Sequence, residues 1–143
     1  MPHAERSIVI NRSPDDVFAF FTTPANDPSW RPGVKEISAE GPMAVGTKVH
    51  QTVAGPGGRS IAADIQVDAY DPPARYGFHA IAGPARPVGE YRFSPSGGGT
   101  QVTFSLDVQL SGLKKMFMSS PVQKTMDGEM RALDTAKAKL EAG

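Results

Sequence analysis

The segment TQVTFSLDVQL, residues 100–110, alternates apolar and polar side chains without interruption. Such alternation places one set of side chains on each face of a β-strand, so the segment predicts a strand with one buried face. Further along the chain, apolar residues recur every three to four positions, which is the spacing of an amphipathic helix. We therefore predict a helix over residues 113–142 that covers one face of a sheet. The inward residues of the strand are predicted to be Val102, Phe104, Leu106, Val108 and Leu110.

Pro121 lies early in this predicted C-terminal helix. Proline removes a backbone N–H and disturbs the interior of a helix. Ser120 and Gln123 flank it in a capping-box pattern, which is typical of a helix start. The sequence is therefore consistent with a helix that kinks at Pro121 and with one that begins again there.

Before residue 100, short apolar runs are separated by turn signals. Gly and Pro number 15 and 13, and they cluster in GPGG, DPP, GP and GGG. These clusters mark turns, and short turns join antiparallel neighbours. Together with residues 100–110, the runs predict a seven-stranded antiparallel sheet. The other six strands are predicted at residues 5–11, 34–40, 46–54, 60–70, 75–82 and 88–94.

Two helix signals follow the first predicted strand. Ser13 is a favourable N-cap, Pro14 suits the first helical position, and two acidic residues come next. This predicts a helix over residues 14–23 that ends before Pro24. A second short helical turn is expected to start near Asp27.

Length and composition restrict the class of protein. The chain has 143 residues, so a single domain over residues 1–143 is expected. Lys plus Arg and Asp plus Glu each total 15, and this balance argues against a nucleic-acid partner. There is no apolar run of about 18 residues and no signal peptide, so we expect no membrane insertion and a cytoplasmic location. The absence of Cys excludes disulfides, thiol nucleophiles and Cys-based zinc sites.

Five segments of the chain resemble the START/Bet v 1-like superfamily (SRPBCC), and in particular its bacterial polyketide cyclase/dehydrase group. The segments are SIVINRSPDDVFAFFTTPANDPSW (7–30), PGVKEI (32–37), VGTKVHQTV (45–53), YDPPARYGF (70–78) and GGGTQVTFSLDV (97–108). The resemblance extends over essentially the whole chain. It implies the helix-grip fold, an α+β fold in which a seven-stranded antiparallel sheet wraps around a long C-terminal helix, with two short helices after the first strand. It also implies a cavity between sheet and helix. The sequence itself predicts no cofactor, since no phosphate-binding glycine motif is present.

Strand alternation predicts an interior that is almost wholly apolar, with Gln51, Tyr76 and Tyr91 as its few polar groups. This combination is typical of a small-molecule site, although a closed core would show the same alternation. The methionines of the C-terminal helix would suit an adaptable apolar surface. The residues expected to contact a ligand are Trp30, Val49, Gln51, Ile61, Ala63, Ile65, Tyr76, Phe78, Tyr91, Phe93, Phe104, Met126 and Met130.

Two arginines lie near the expected cavity. Arg59 shares the inward parity of Ile61, so it is a candidate for holding a ligand carboxylate at the entrance. Arg31 is expected to be a solvated neighbour of Trp30.

Few residues are candidates for catalysis. Tyr91 and Tyr76 are candidates for polarising a carbonyl group, and His79 is a candidate general base if its strand slips by one position. His50 and His79 both have outward parity and no carboxylate constellation is evident beside them, so no metal site is predicted.

Three functions remain open from the sequence. The first is binding of an apolar small molecule, such as a lipid or a polyketide, in the cavity. The second is polyketide cyclisation or dehydration in the same cavity. The third is a protein-interaction module with a collapsed cavity. The sequence also leaves open whether the chain forms a homodimer.

Overall fold

An antiparallel sheet curls around one long helix in the computed structural model of the protein. The structure describes residues 2–83, 86–108 and 112–143, with the side chains of these except at positions 56 and 112–121. The strands within these residues are β1 (His3–Ile10), β2 (Val34–Ala39), β3 (Lys48–Ala54), β4 (Ser60–Ala62), β5 (Ile65–Asp71), β6 (Arg75–Ala80), β7 (Val88–Ser96) and β8 (Gly99–Asp107). The α-helices are α1 (Pro14–Phe21), α2 (Asp27–Trp30) and α3 (Gly112–Ala142), with short 3₁₀ turns at Pro24–Asn26 and Pro56–Gly58. This arrangement confirms the predicted helix-grip architecture.

The strand order of the sheet is β1-β8-β7-β6-β5-β3-β2, and β4 pairs with β3 next to β5. The described residues thus form eight strands where seven were predicted, because the strand predicted at residues 60–70 is divided in two. The division falls at Ala63 and Asp64. The Asp64 carboxylate accepts a hydrogen bond from the backbone N–H of Gln51 at 3.1 Å, in place of a backbone carbonyl of a continuous strand.

An irregularity in β5 changes which side chains face the interior. The register between β5 and β6 shifts between Val67 and Ala69, so Tyr70 pairs with Tyr76. Unbroken alternation would have placed Tyr70 on the outer face. Instead its ring packs on Phe18 with 5.4 Å between ring centroids. A bulge of this kind reorients a side chain without any signal in the apolar pattern.

The first helix forms where the sequence predicts it and closes one end of the sheet. The Ser13 hydroxyl accepts a hydrogen bond from the Asp16 N–H at 3.2 Å, which caps the first turn. The helix ends at Phe21, two residues before the predicted end. It buries Val17, Phe18 and Phe21 against the sheet. The second short helix begins at Asp27, as predicted.

The C-terminal segment forms a single helix, Gly112–Ala142, so it does not restart at Pro121. It buries Val122, Met126, Met130, Leu133, Ala136 and Leu140. Its carbonyl groups also bind the first strand and the following turn. Arg6 donates to the Met130 carbonyl at 3.1 Å, and Arg12 donates to the Leu140 carbonyl at 2.6 Å. These bonds hold α3 against β1. Among the described helices, none is long and apolar enough to cross a membrane.

The alternation of β8 is confirmed over the described residues. Val102, Phe104, Leu106 and Val108 are all buried, and the predicted inward residue Leu110 lies outside the described residues. The buried side chains form two clusters, a large one around α1, α3 and the centre of the sheet, and a small one of Val49, Ile65 and Ala80. The interior is thus divided, and a cavity lies between the two clusters.

Candidate functional site

A cavity of about 290 Å³ lies between the inner face of the sheet and α3. This volume is at the lower end of the range of small-molecule sites. The walls come from both buried clusters, from the two short helices and from α3. The interior is therefore not filled by the protein's own side chains, which was the alternative that strand alternation left open.

Most residues that the sequence nominated for ligand contact line this cavity. They are Val49, Gln51, Ile61, Ala63, Ile65, Tyr76, Phe78, Tyr91, Phe104 and Met126. Strand parity found those on the sheet, and Ala63 lines the cavity although it lies at the break between β4 and β5. The cavity is also lined by Gly55, Ala62, Gly83 and Pro87.

Three other nominated residues belong to the packed core and do not line the cavity. Trp30 is 1% exposed and packs edge-on against Phe21, with ring centroids 5.2 Å apart. Phe93 packs edge-on against Phe18 at 5.3 Å. Met130 is buried in the same cluster, one turn after Met126 on α3. Phe21 lines the cavity and contacts both rings, so α1 separates Trp30 and Phe93 from the open space.

Arg59 does not line the cavity either. Its side chain is exposed at the end of the turn between β3 and β4, and its carbonyl accepts the N–H of Gly55 at 2.7 Å. Ile61, two positions later, does line the cavity. Parity therefore predicted the inward position of Ile61 correctly, but Arg59 lies in the turn before β4 and its side chain does not reach the cavity.

The two strand histidines lie on the outer face of the sheet. His79 Nδ1 lies 2.7 Å from Asp68, and the ring is partly exposed. The strand did not slip, so His79 is on the wrong face to act as a base in the cavity. His50 contacts Asp64 at 2.7 Å and also contacts Glu40. Across the described parts of the chain, no three His, Asp or Glu side chains are placed to hold a metal ion.

A flat aromatic wall forms one side of the cavity. The Tyr91 ring stacks on Phe104 with centroids 4.0 Å apart and planes 2° apart, and it also stacks on Tyr76 at 5.8 Å. Neither tyrosine hydroxyl hydrogen-bonds to another described residue. Burial raises the pKa of both tyrosines, so the hydroxyls stay protonated at neutral pH. The wall thus offers apolar surface together with two hydroxyl groups free to bond a ligand.

Arg31 is the centre of a buried polar cluster, and the expectation that it is solvated is wrong. Its side chain is 14% exposed. It donates two hydrogen bonds to Glu129, from Nε at 2.9 Å and from Nη2 at 3.1 Å. Its Nη1 donates to Asp27 at 2.9 Å and to Gln51 at 3.1 Å. We call these four residues the Arg31 cluster, and all four line the cavity.

Three elements contribute to the Arg31 cluster. Asp27 and Arg31 are four residues apart at α2, Gln51 is on β3 and Glu129 is on α3. The Gln51 side-chain N–H₂ donates to the Ala63 carbonyl at 2.8 Å, which turns the amide oxygen toward Arg31. The sequence carried one usable signal for this cluster. Asp27 and Arg31 are four residues apart, which is a spacing that allows an ion pair in a helical turn. Glu129 had none, because only the packing of α3 brings it there.

Burial and charge act in opposite directions on the ionisable groups of the cluster. Burial raises the pKa of Asp27 to about 6, even though the charge of Arg31 favours the carboxylate. Burial alone would lower the pKa of Arg31, but the charges of Glu129 and Asp27 raise it above its ordinary value. Arg31 therefore stays charged, whereas Asp27 titrates close to neutral pH.

Two buried polar atoms in this region have no hydrogen-bond partner among the described residues. They are Oδ1 of Asp27 and Nε1 of Trp30. The indole lies near enough to Asp27 to lower its pKa slightly, but not in hydrogen-bond geometry. Unsatisfied polar atoms are costly in an interior, so these two atoms add to the cost of burying the cluster.

The comparisons with known proteins agree with this architecture. The family model "Polyketide cyclase / dehydrase and lipid transport" matches residues 1–141. A comparison with curated proteins found no match. Among solved structures, TTHA0849 from Thermus thermophilus is similar at 19% identity and a TM-score of 0.82, covering 99% of this chain and 98% of that one.

Two further solved structures represent the groups that the sequence resembles. A START superfamily protein from Mycobacterium smegmatis is 15% identical with a TM-score of 0.77, covering 98% of this chain and 97% of that one. The di-domain ARO/CYC BexL from the BE-7585A biosynthetic pathway is 17% identical with a TM-score of 0.82, covering 99% of this chain and 50% of that one. At these identities the likeness establishes a common fold.

Proposed function

Because the chain belongs to the polyketide cyclase/dehydrase and lipid transport family, we propose that it binds one mostly apolar small molecule in the cavity between the sheet and α3. The observation that carries the proposal is the cavity itself, an open space of about 290 Å³ inside an otherwise packed core. Its walls are mainly aliphatic and aromatic, and its polar side chains are those of the Arg31 cluster, the two tyrosines and Thr125. Sites of this composition bind apolar molecules and orient them with a few polar contacts.

The ligand contacts proposed are the ten nominated residues that line the cavity, with Asp27, Arg31 and Glu129 added at its polar end. Trp30, Phe93 and Met130 would act indirectly, by supporting the wall. Stacked rings such as Tyr91 and Phe104 provide a flat surface, which suits a planar or ring-containing ligand.

Binding of the uncharged fluorescent probe N-phenylnaphthylamine tests the proposal. The probe should bind saturably with one site per chain. Ala63→Phe adds a ring where the side chain lines the cavity, and it should abolish binding. Ala138→Phe makes the same change on the exposed side of α3 and should leave binding unchanged. Equal probe binding by both variants and the parent protein would refute a site in this cavity.

A second candidate function is cyclisation or dehydration of a polyketide-like chain in the same cavity. It is favoured by the hydroxyls of Tyr76 and Tyr91, which bond no other described residue, and by the nearby Asp27, an acid whose pKa of about 6 suits proton transfer near neutral pH. A tyrosine hydroxyl can polarise a carbonyl, and the Asp27 carboxylate can accept a proton from an adjacent carbon.

Turnover of a poly-β-carbonyl substrate distinguishes catalysis from binding. An enzyme should form product, and Tyr91→Phe or Asp27→Asn should slow product formation about 100-fold or more, as removal of an acid–base group does. Substrate that binds and is released without reaction would leave binding as the function.

A further inference from the structure

The charge of the Arg31 cluster limits which polar groups the cavity accepts. Arg31 supplies one positive charge, and Asp27 and Glu129 supply two negative charges when both are ionised. Four of the five N–H donors of Arg31 are already used by these carboxylates and by Gln51. The arginine therefore has neither an unneutralised charge nor the paired donors that recognise a carboxylate.

The other polar side chains at the cavity wall, those of Tyr76, Tyr91 and Thr125, carry no charge. The side chains of Arg31 and Asp27 are 14% and 13% exposed, so water screens their charges only weakly. The hydroxyls of Tyr76 and Tyr91 can donate or accept. An uncharged polar group of a ligand can bond these hydroxyls, whereas an anionic ligand meets a net negative charge in a region of low dielectric.

We infer that the cavity selects ligands whose polar end is uncharged, and that it rejects carboxylates such as fatty-acid anions. The inference rests on the proposed function, because it concerns the polar end of the same cavity. It assigns to Glu129 the role of a specificity residue. By pairing with Arg31 through two hydrogen bonds, Glu129 removes the group that would otherwise hold a carboxylate.

Three probes with one ring system and different polar ends test this inference. They are naphthylmethanol, its methyl ether, and naphthoate, each titrated by calorimetry at pH 8, where Asp27 is ionised. The ether should bind about as tightly as the alcohol, because both are uncharged and the tyrosine hydroxyls can donate to either oxygen. Naphthoate should bind at least about tenfold more weakly than the alcohol, because its charge is buried beside two carboxylates.

Glu129→Gln tests the assignment to that residue. Gln keeps the shape of the side chain and one acceptor oxygen. It removes the negative charge, and it frees one of the two Arg31 N–H groups that Glu129 binds. Naphthoate affinity should rise about tenfold or more relative to the alcohol. Asp134→Asn is the control. Asp134 is on the same helix as Glu129, and it forms an exposed ion pair with Arg6 of β1. The variant removes the same charge and should not change the ratio of naphthoate affinity to alcohol affinity. Asp27→Asn should move the ratio in the same direction as Glu129→Gln, and it provides a second variant if Glu129→Gln unfolds.

The outcomes separate the inference from the function on which it rests. Naphthoate binding as tightly as the alcohol in the parent protein would overturn the inference and leave the cavity as a binding site. An equal change of ratio in Asp134→Asn and Glu129→Gln would overturn the role of Glu129, since overall charge would then explain the effect. If none of the naphthyl probes and no N-phenylnaphthylamine bound, the proposed function would itself fail.

Discussion

Replacing Asp27 by Asn should make the protein more stable at pH 8, although it removes one partner of an ion pair. Burial raises the pKa of Asp27 from its ordinary value of 3.8 to about 6. The folded protein therefore favours the protonated carboxyl over the carboxylate. A difference of this size corresponds to about 3 kcal/mol of stability lost when Asp27 ionises. Asn resembles the protonated carboxyl in shape and charge, so it should avoid this loss.

The sign of the pH dependence follows from linkage. Between pH 3.8 and about 6 the unfolded chain has released the proton and the folded protein still holds it. Stability of the parent protein should therefore decrease through this window as pH rises, and it should change no further above it on account of Asp27. The advantage of Asp27→Asn should be absent near pH 3.5, grow through the window, and reach an order of about 3 kcal/mol at pH 8.

Urea denaturation at four pH values between 3.5 and 8 provides the measurement. Asp16→Asn is the matched control, because Asp16 also pairs with an arginine four residues away, Arg12, but at an exposed site. It should change stability by less than about 1 kcal/mol at every pH. A loss of stability in Asp27→Asn that is the same at pH 5 and pH 8 would show that the ionised pair is stabilising. The argument from burial would then be wrong.

The remaining predictions concern packing, and urea denaturation measures each of them. Gly99→Ala should destabilise the protein by about 1–3 kcal/mol, since a Cβ there would lie 2.5 Å from the carbonyl oxygen of Ile10; an unchanged midpoint would contradict this. Gly128→Ala should stabilise α3 by about 1 kcal/mol, because its Cβ would meet nothing nearer than 3.6 Å. Leu133→Ala, at a fully buried position, should cost about 2–5 kcal/mol, and a smaller loss would mean that α3 packs loosely. Tyr91→Phe should change stability by less than about 1 kcal/mol, because the hydroxyl makes no hydrogen bond to another residue that the structure describes.

Local patterns were sufficient to predict the elements of the fold. The alternation in residues 100–110 identified β8 and its buried face, and the capping sequence at Ser13 located α1. Both features depend on residues that are neighbours in the chain, so the sequence displays them directly. Strand parity also predicted most of the cavity wall, because inward positions follow from the strand alone.

The errors arose where distant segments meet. Trp30 and Phe93 are inward residues, but the way α1 packs on the sheet places Phe21 between them and the cavity. Tyr70 faces the interior only because β5 contains a bulge. Arg31 was expected in solvent, since no local pattern shows that a residue from α3 will lie beside it.

The one-dimensional pattern of apolar and turn residues was therefore enough for the strands, the helices, the family and the apolar character of the interior. The polar end of the cavity was decided by tertiary structure. Asp27, Gln51 and Glu129 come from three separate elements, and only the docking of α2 and α3 on the sheet brings them around Arg31. Burial of that cluster depends on the whole fold, and burial is what raises the pKa of Asp27 and sets the charge a ligand meets.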